Sequence, residues 1–318
     1  MARFAQSRLF GYLLLTLTMV GWGPSFAMNR WLLEETPLSG EPWPGLSLSA
    51  LRFATLLPVL LVWSALILRK HGWLSGRQWA EVALLGLLSV VIYHLLTNTA
   101  QGLGSSSLIA VLHQMIPAIA FAAGLIFLRE RLSPVKFAGL LLATAGATWY
   151  ALSESGDAAA GANVPLAVLL VLVMGLDWTV YMVVAKRALG RWSGVELTVL
   201  ATTAASLMLI AISELLRPAG CGVTWSILAR LEPQAWAVFL YVSVAAGLVC
   251  YLTYNAGLKR VEASRAAVFE YLLVPVAMVT AFYLPGALQE EITWSKALAA
   301  AIIIAGVYLV TWQPKQAR

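Results

Sequence analysis

The chain of 318 residues is 60% hydrophobic and only 11% charged, with a net charge of +6. That balance is too apolar for a soluble domain of this length, so the bilayer is the expected solvent. The excess Lys and Arg is spread over many short loops and does not form one basic face, which argues against a nucleic-acid partner.

A hydrocarbon core takes about 20 apolar residues per helix, and ten segments qualify: 9–29, 46–68, 80–101, 105–128, 134–152, 164–186, 194–214, 235–256, 264–284 and 294–312. The first follows Arg3 and Arg8 as the core of a signal peptide would, but no small-x-small cleavage site follows Met28, so it reads as a span. Trp22 and Phe26 share a face of it, on either side of Pro24. In the second, Arg52 stands near an end, where its head can snorkel to lipid headgroups. In the third, His94, Asn98 and Gln101 lie at i, i+4 and i+7 and therefore on one face. The fourth carries His113 and Gln114 just before Pro117; the sixth places Asp177 close to mid-membrane with Trp178 beside it and Tyr181 on its face. The eighth pairs Tyr251 with Asn255, and the ninth carries Glu270 and Tyr271 ahead of Pro275. Gly139, Ala143 and Ala147 in the fifth, and Ala297, Ala301 and Ala305 in the tenth, are small-residue seams suited to close packing or a dimer contact. Trp43, Trp192, Trp236 and Trp294 fall where an interfacial belt belongs.

With both termini cytoplasmic, sixteen Lys and Arg fall on the inside and five on the outside (Arg30, Arg52, Arg217, Arg230 and Lys296). This positive-inside bias fits a multi-pass protein of a bacterial-type cytoplasmic (inner) membrane. Cys221 and Cys250 are too far apart along the expected topology to bridge, and no metal-ligand spacing occurs, so no cofactor is expected.

The second half of the chain repeats the first. Residues 102–149 and 257–312 each run from a Gly-Leu turn through a Pro-broken helix (Pro117, Pro275) and an acidic turn to a closing helix rich in small residues. VGWGPSFAMNRWL near residue 20 and GLDWTVYMVVAKRAL near 175 each put a Trp in mid-helix with a basic residue eight positions on. Five helices per half is an odd number, so the halves must insert with opposite topology. The expected fold is an all-α integral membrane protein: one membrane domain over 1–318, built of ten transmembrane helices as two inverted five-helix repeats, 9–152 and 164–312.

The run FLRERLSPVKFAGLLLATAGATW, the Pro117 helix before it, the Trp-Gly of the first span and the repeat resemble the EamA family of the drug/metabolite transporter superfamily. The Glu130-Arg131-Leu132-Ser133 turn with Gly139 and Gly146 is the most specific piece; in the second copy Glu290-Glu291-Ile292-Thr293 replaces that turn. The resemblance implies a ten-helix carrier, most often an exporter of amino acids, other small metabolites or drugs.

Polar groups deep in a bilayer are costly unless they face protein or water, which makes them candidates for function. Trp22, Phe26, His94, Asn98, His113, Gln114, Asp177, Trp178, Tyr181, Tyr251, Asn255, Glu270 and Tyr271 form stripes that point to one central substrate cavity, and Pro24, Pro117 and Pro275 are candidate hinges. Each polar group has the plainer reading of a hydrogen-bonded packing residue. The expected function is a secondary transporter working by alternating access, with Asp177 or Glu270 binding a proton or a cationic group. The alternatives are a multidrug or cation efflux carrier and, further off, an intramembrane enzyme. H-E-x-x-H, a complete G-x-S-x-G, G-x-G-D and a P-loop are all missing, which sets the enzyme reading back and leaves an ion or substrate gradient as the driving force. The expected partners are a small-molecule substrate, the bilayer, a coupled proton and a second copy of the chain.

Overall fold

The computed structural model describes residues 7–41, 43–101, 113–153, 164–220, 222–283 and 292–312. Residues 102–112, Cys221, Glu154, Asp157, Glu290, Glu291 and both chain ends, with the parts of the expected fourth and ninth spans they contain, lie outside the described residues. The described residues are helical, without strands. We number the helices α1 (Arg8–Glu35), α2 (Pro44–His71), α3 (Gly76–Ala100), α4 (Ile116–Phe127), α5 (Pro134–Ser153), α6 (Val164–Ala188), α7 (Gly194–Leu216), α8 (Pro233–Arg260), α9 (Ala263–Thr280) and α10 (Trp294–Thr311). Among the described residues nine are long and apolar enough to cross a membrane; α4 is a shorter apolar helix.

Local chemistry sets the ends. Ser7, Ser75, Ser193 and Thr293 cap their helices by accepting backbone N–H bonds, Ser75 and Ser193 as full capping boxes with Gln78 and Glu196. Pro44 and Pro233 begin α2 and α8, where no amide bond is lost. The basic cluster Arg69–His71 sits in the last turn of α2, the end that favours cations.

The main packing pairs recur when α1–α5 are exchanged for α6–α10. Helix α1 packs on α8 as α6 packs on α3, and α1 on α9 as α6 on α4; α2 touches α8 as α7 touches α3. Three pairs, α2–α7, α4–α9 and α5–α10, map onto themselves. The irregularities match too. Both α3 and α8 contain a π-helical stretch, Leu87–Ile92 and Tyr241–Val249, and both α4 and α9 break just before their prolines. A turn at Gln114–Met115 precedes Pro117, and a 3-10 turn, Glu270–Leu272, precedes Pro275.

Three expectations about individual residues change. Arg52 does not snorkel: it is 1% exposed inside the bundle. Trp192 is no belt residue, being buried with its Nε1 donating to Glu81 at 3.2 Å. The seam on α10 is turned away from Ala301 and Ala305, which are exposed; Ala299, Ile303 and Gly306 meet Gly139, Ala143 and Gly146 instead.

Candidate functional site

A cavity of about 690 Å³, its open mouth included, lies where the two halves meet. The π-helical stretches shape its walls. A wide π turn leaves carbonyls outside the regular helical ladder, and side chains from the partner helices take them up. Trp22 Nε1 donates to Ala246 O at 2.9 Å and Arg52 Nη2 to Val242 O, both in α8; Tyr251 Oη donates to Ser89 O at 2.6 Å, in α3. These bonds fix three large side chains around the hollow.

The wall is chiefly aromatic. Trp22 lies 5.8 Å from Trp178 and 5.2 Å from Tyr251 between ring centroids, both edge-on, and Trp178 lies 5.2 Å from Tyr93. Phe26 meets His113 edge-on at 5.5 Å. Such contacts hold rigid, amphipathic surfaces that can stack on a ligand or a cation.

Charged and polar groups punctuate this wall. Glu270, on the 3-10 turn of α9, is 5% exposed; its Oε1 accepts from Trp178 Nε1 at 2.7 Å and from Tyr254 Oη at 3.2 Å. Arg52 enters from α2, its Nη1 3.2 Å from Asn29 Oδ1. His94 lines the cavity beside Phe53, ring to ring 5.4 Å, and Asn98 is tied to Gly45 O and Ser49 Oγ at 3.2 and 3.1 Å. Among the expected site residues, Trp22, Phe26, His94, Asn98, His113, Trp178, Tyr251 and Glu270 thus come together.

The others lie off the wall. Tyr181 Oη donates to Asn255 Oδ1 at 3.0 Å, and Asn255 Nδ2 to Thr198 Oγ1 at 2.9 Å, a chain that links α6, α8 and α7. Tyr271 Oη bonds Thr144 Oγ1 at 2.7 Å, and Gln114 does not border the cavity. Asp177 is 7% exposed and not part of the lining, and among the described residues neither of its carboxylate oxygens has a hydrogen-bond partner.

Two features escaped the sequence reading. Arg52 lies eight residues past Pro44, about 12 Å along the helix at 1.5 Å per residue, and that depth was the available signal. The second is Glu130. Arg129 adopts φ 55°, a left-handed conformation rare outside glycine, and turns the chain so that Glu130 reaches the start of α9. There its carboxylate accepts from Ala263 N at 2.6 Å, Ser264 N at 2.9 Å and the Ser264 hydroxyl. An anion at exposed helix amides is favourable. Gly124 allows the approach, since a Cβ there would lie 2.8 Å from Ser264 N.

Other bonds between the halves gather at the same, basic end. Lys136 pairs with Glu262, Arg191 with Glu81, and Lys70 with Glu196 at 3.0 Å; Arg187 donates to Phe127 O at 2.9 Å. Burial works against ionisation of Glu262, but hydrogen bonds from Lys136 and Arg265 prevail and hold its carboxyl below the ordinary carboxylate range. At the opposite end, the described bonds between the halves are Thr224 N to Glu41 at 3.2 Å and Trp149 Nε1 to Ser295 Oγ at 3.0 Å. Among the described residues, the ion pairs that join the halves thus lie at the basic end.

The EamA-like transporter family model matches residues 9–152 and again 165–312. An uncharacterized transporter of Archaeoglobus fulgidus is 26% identical over 307 residues, covering 96% of this chain and 98% of its own. A protein of Streptantibioticus cattleyicolor named a probable terminal-alkyne amino-acid exporter is 25% identical, covering 93% of this chain and 91% of its own. A solved crystal structure shares the fold with a TM-score of 0.66 at 18% identity, covering 93% of this chain and 96% of that one.

Proposed function

Because the chain belongs to the EamA-like transporter family, we propose that it is a secondary carrier whose two halves, five helices each and opposite in topology, rock about the central cavity. The observation that carries this reading is that cavity, walled from both halves and holding buried groups of both charge signs. The exchange-invariant packing supports inverted repeats, since an odd number of helices per half demands opposite insertion. The bonds gathered at the basic end support one alternating-access state, with access closed on that side. By the distribution of cations, the basic end is the cytoplasmic one, in a bacterial-type inner membrane. Pro117 and Pro275, each just past a break in its helix, serve as hinges; Pro24 lies within a continuous α1 and is the lesser one.

The substrate is an amino acid or a similar small metabolite, moved outward. A relative named as an amino-acid exporter supports both parts. Asp177, buried and without a donor among the described residues, and Glu270, at the cavity, are the groups for proton coupling. Purified protein in proteoliposomes tests the reading: amino-acid counterflow is expected, with uphill transport driven by an imposed pH gradient. Asp177→Asn is expected to stop uphill transport and spare exchange; Glu270→Gln, at the cavity itself, is expected to stop uphill transport and weaken exchange. If both variants still pump, the coupling is wrong; absence of flux for any solute removes the carrier reading.

A further inference from the structure

The most unusual charge in the molecule is Arg52. It is 1% exposed, and among the described residues no Asp or Glu forms an ion pair with it. Two of its nitrogens are held by neutral oxygens, of Val242 and Asn29, while the Nε donor has no partner among the described residues. Neutral oxygens orient a guanidinium without compensating its charge, and a buried cation left so is destabilising unless a counter-ion arrives. A purely structural arginine would have its donors filled.

A second orphan stands beside it. His94 Nε2 is buried without a partner among the described residues, and Phe53, next to Arg52 in the chain, packs against the His94 ring. Arg52 and His94 both line the central cavity, so an anion placed there reaches the Arg52 Nε donor and, in the tautomer that protonates Nε2, the His94 ring, neither of which has a partner among the described residues. A planar carboxylate suits the guanidinium fork.

Glu270 lines the same cavity and supplies the complement. Both of its hydrogen bonds among the described residues are made by Oε1, and the donors are Trp178 and Tyr254, so no cation neutralises it. Trp178 bonds it through Nε1, and Trp22 and Tyr251 line the same cavity, aromatic surfaces on which an ammonium group is stabilised. One cavity thus offers an uncompensated cation and an uncompensated anion, with an aromatic lining between them.

We propose that Arg52, with His94, binds the carboxylate of a free amino acid while Glu270 binds its ammonium group, so that the cavity takes zwitterions with an apolar or aromatic side chain. This rests on the carrier reading and narrows it: cationic amines, which lack the group for Arg52, are excluded as good substrates. A net-neutral ligand leaves both buried charges paired at once.

The test uses the full chain in detergent or nanodiscs and the tryptophan emission of the cavity. The probes are the twenty free amino acids, their carboxamides and their N-acetyl derivatives. At least one apolar or aromatic free amino acid is expected to bind, with the carboxamide and the N-acetyl form each weaker by about ten-fold or more. Arg52→Gln is expected to bring the acid-to-amide affinity ratio close to one, and Arg52→Lys to keep part of it. Should Arg52→Gln fail to fold, the ligand series on the unaltered protein still decides. Carboxamides or simple amines binding as well as free amino acids, or no free amino acid binding, overturns the proposal. Counterflow of an amine or a neutral solute in vesicles would then leave the carrier standing without the zwitterion site; no flux of any solute would remove the carrier itself.

Discussion

The α5–α10 and α4–α9 pairs occupy equivalent places, each mapping onto itself when the halves are exchanged, yet they are built in opposite ways. In α5–α10 two unbroken helices close on a stripe of small residues, Gly139, Ala143 and Gly146 against Ala299 and Gly306. Such contact is van der Waals packing at short range, with little to rearrange. In α4–α9 both helices break before a proline, a carboxylate clasps helix amides, and Glu270 faces the cavity. Polar bonds and irregular backbone can be made and unmade at modest cost; a dry seam of backbone contacts cannot. On the carrier reading proposed above, the first pair is the static element of the interface and the second the element that moves.

The sharpest way to break that contrast is to overfill the static pair. A Cβ at Gly306 would collide with Ala143 N and lie 2.7 Å from Gly139 O, both backbone atoms that cannot step aside. Gly306→Leu is expected to destabilise by about 3 kcal/mol or more, at the upper end of overpacking effects, read as a large fall in melting temperature in detergent. An unchanged melting temperature would mean that the seam is not packed as described.

The clasp of the other pair should respond in conformation more than in stability. Glu130→Ala removes three hydrogen bonds to a carboxylate at the start of α9. Charge-assisted bonds are worth about 1.5–3 kcal/mol each where they are lost, so opening of the basic end should rise by roughly ten-fold or more. A cysteine replacing Thr97, in the cavity wall, reports it through faster alkylation by a charged maleimide added at the basic side. Equal rates with and without Glu130 would make the clasp a mere cap.

The same contrast explains what could be read from sequence. Hydropathy located the helices because lipid demands continuous apolar runs, and Pro117 and Pro275 marked the broken pair because proline acts locally. Which face of a helix meets the cavity was harder. Asp177 and Trp178 are neighbours about 100° apart on α6, so they cannot point the same way, and Trp178 holds the wall while Asp177 is not part of it. The π turns of α3 and α8 have no residue signature, so the carbonyls that hold Trp22, Arg52 and Tyr251 were invisible. The Glu130 turn stood out as a motif, but its role needs α9 alongside, and only tertiary structure supplies that contact.

The smallest expected effect lies at the edge of the moving pair. Glu262 bonds Lys136 and Arg265, which hold its carboxyl below the ordinary carboxylate range despite the burial that opposes ionisation. A carboxyl whose pKa is lower in the folded state binds fewer protons there than in the unfolded chain, so it adds stability above its unfolded value. That contribution is complete at neutral pH, begins to fade near the ordinary value of 4.5 and is lost as the pH falls through the folded one. Glu262→Gln should therefore lower the melting temperature at pH 7 and cease to differ from the unaltered protein in acid. The effect is modest because the side chain is 32% exposed and salt screens it, and because Lys136 keeps its 2.9 Å bond to Arg131 O when Glu262 is gone. A difference that persists at low pH would show the residue acting by packing and not by charge. Gly306→Leu, at a contact of small residues in which no charged group takes part, should show no such pH dependence over the same range.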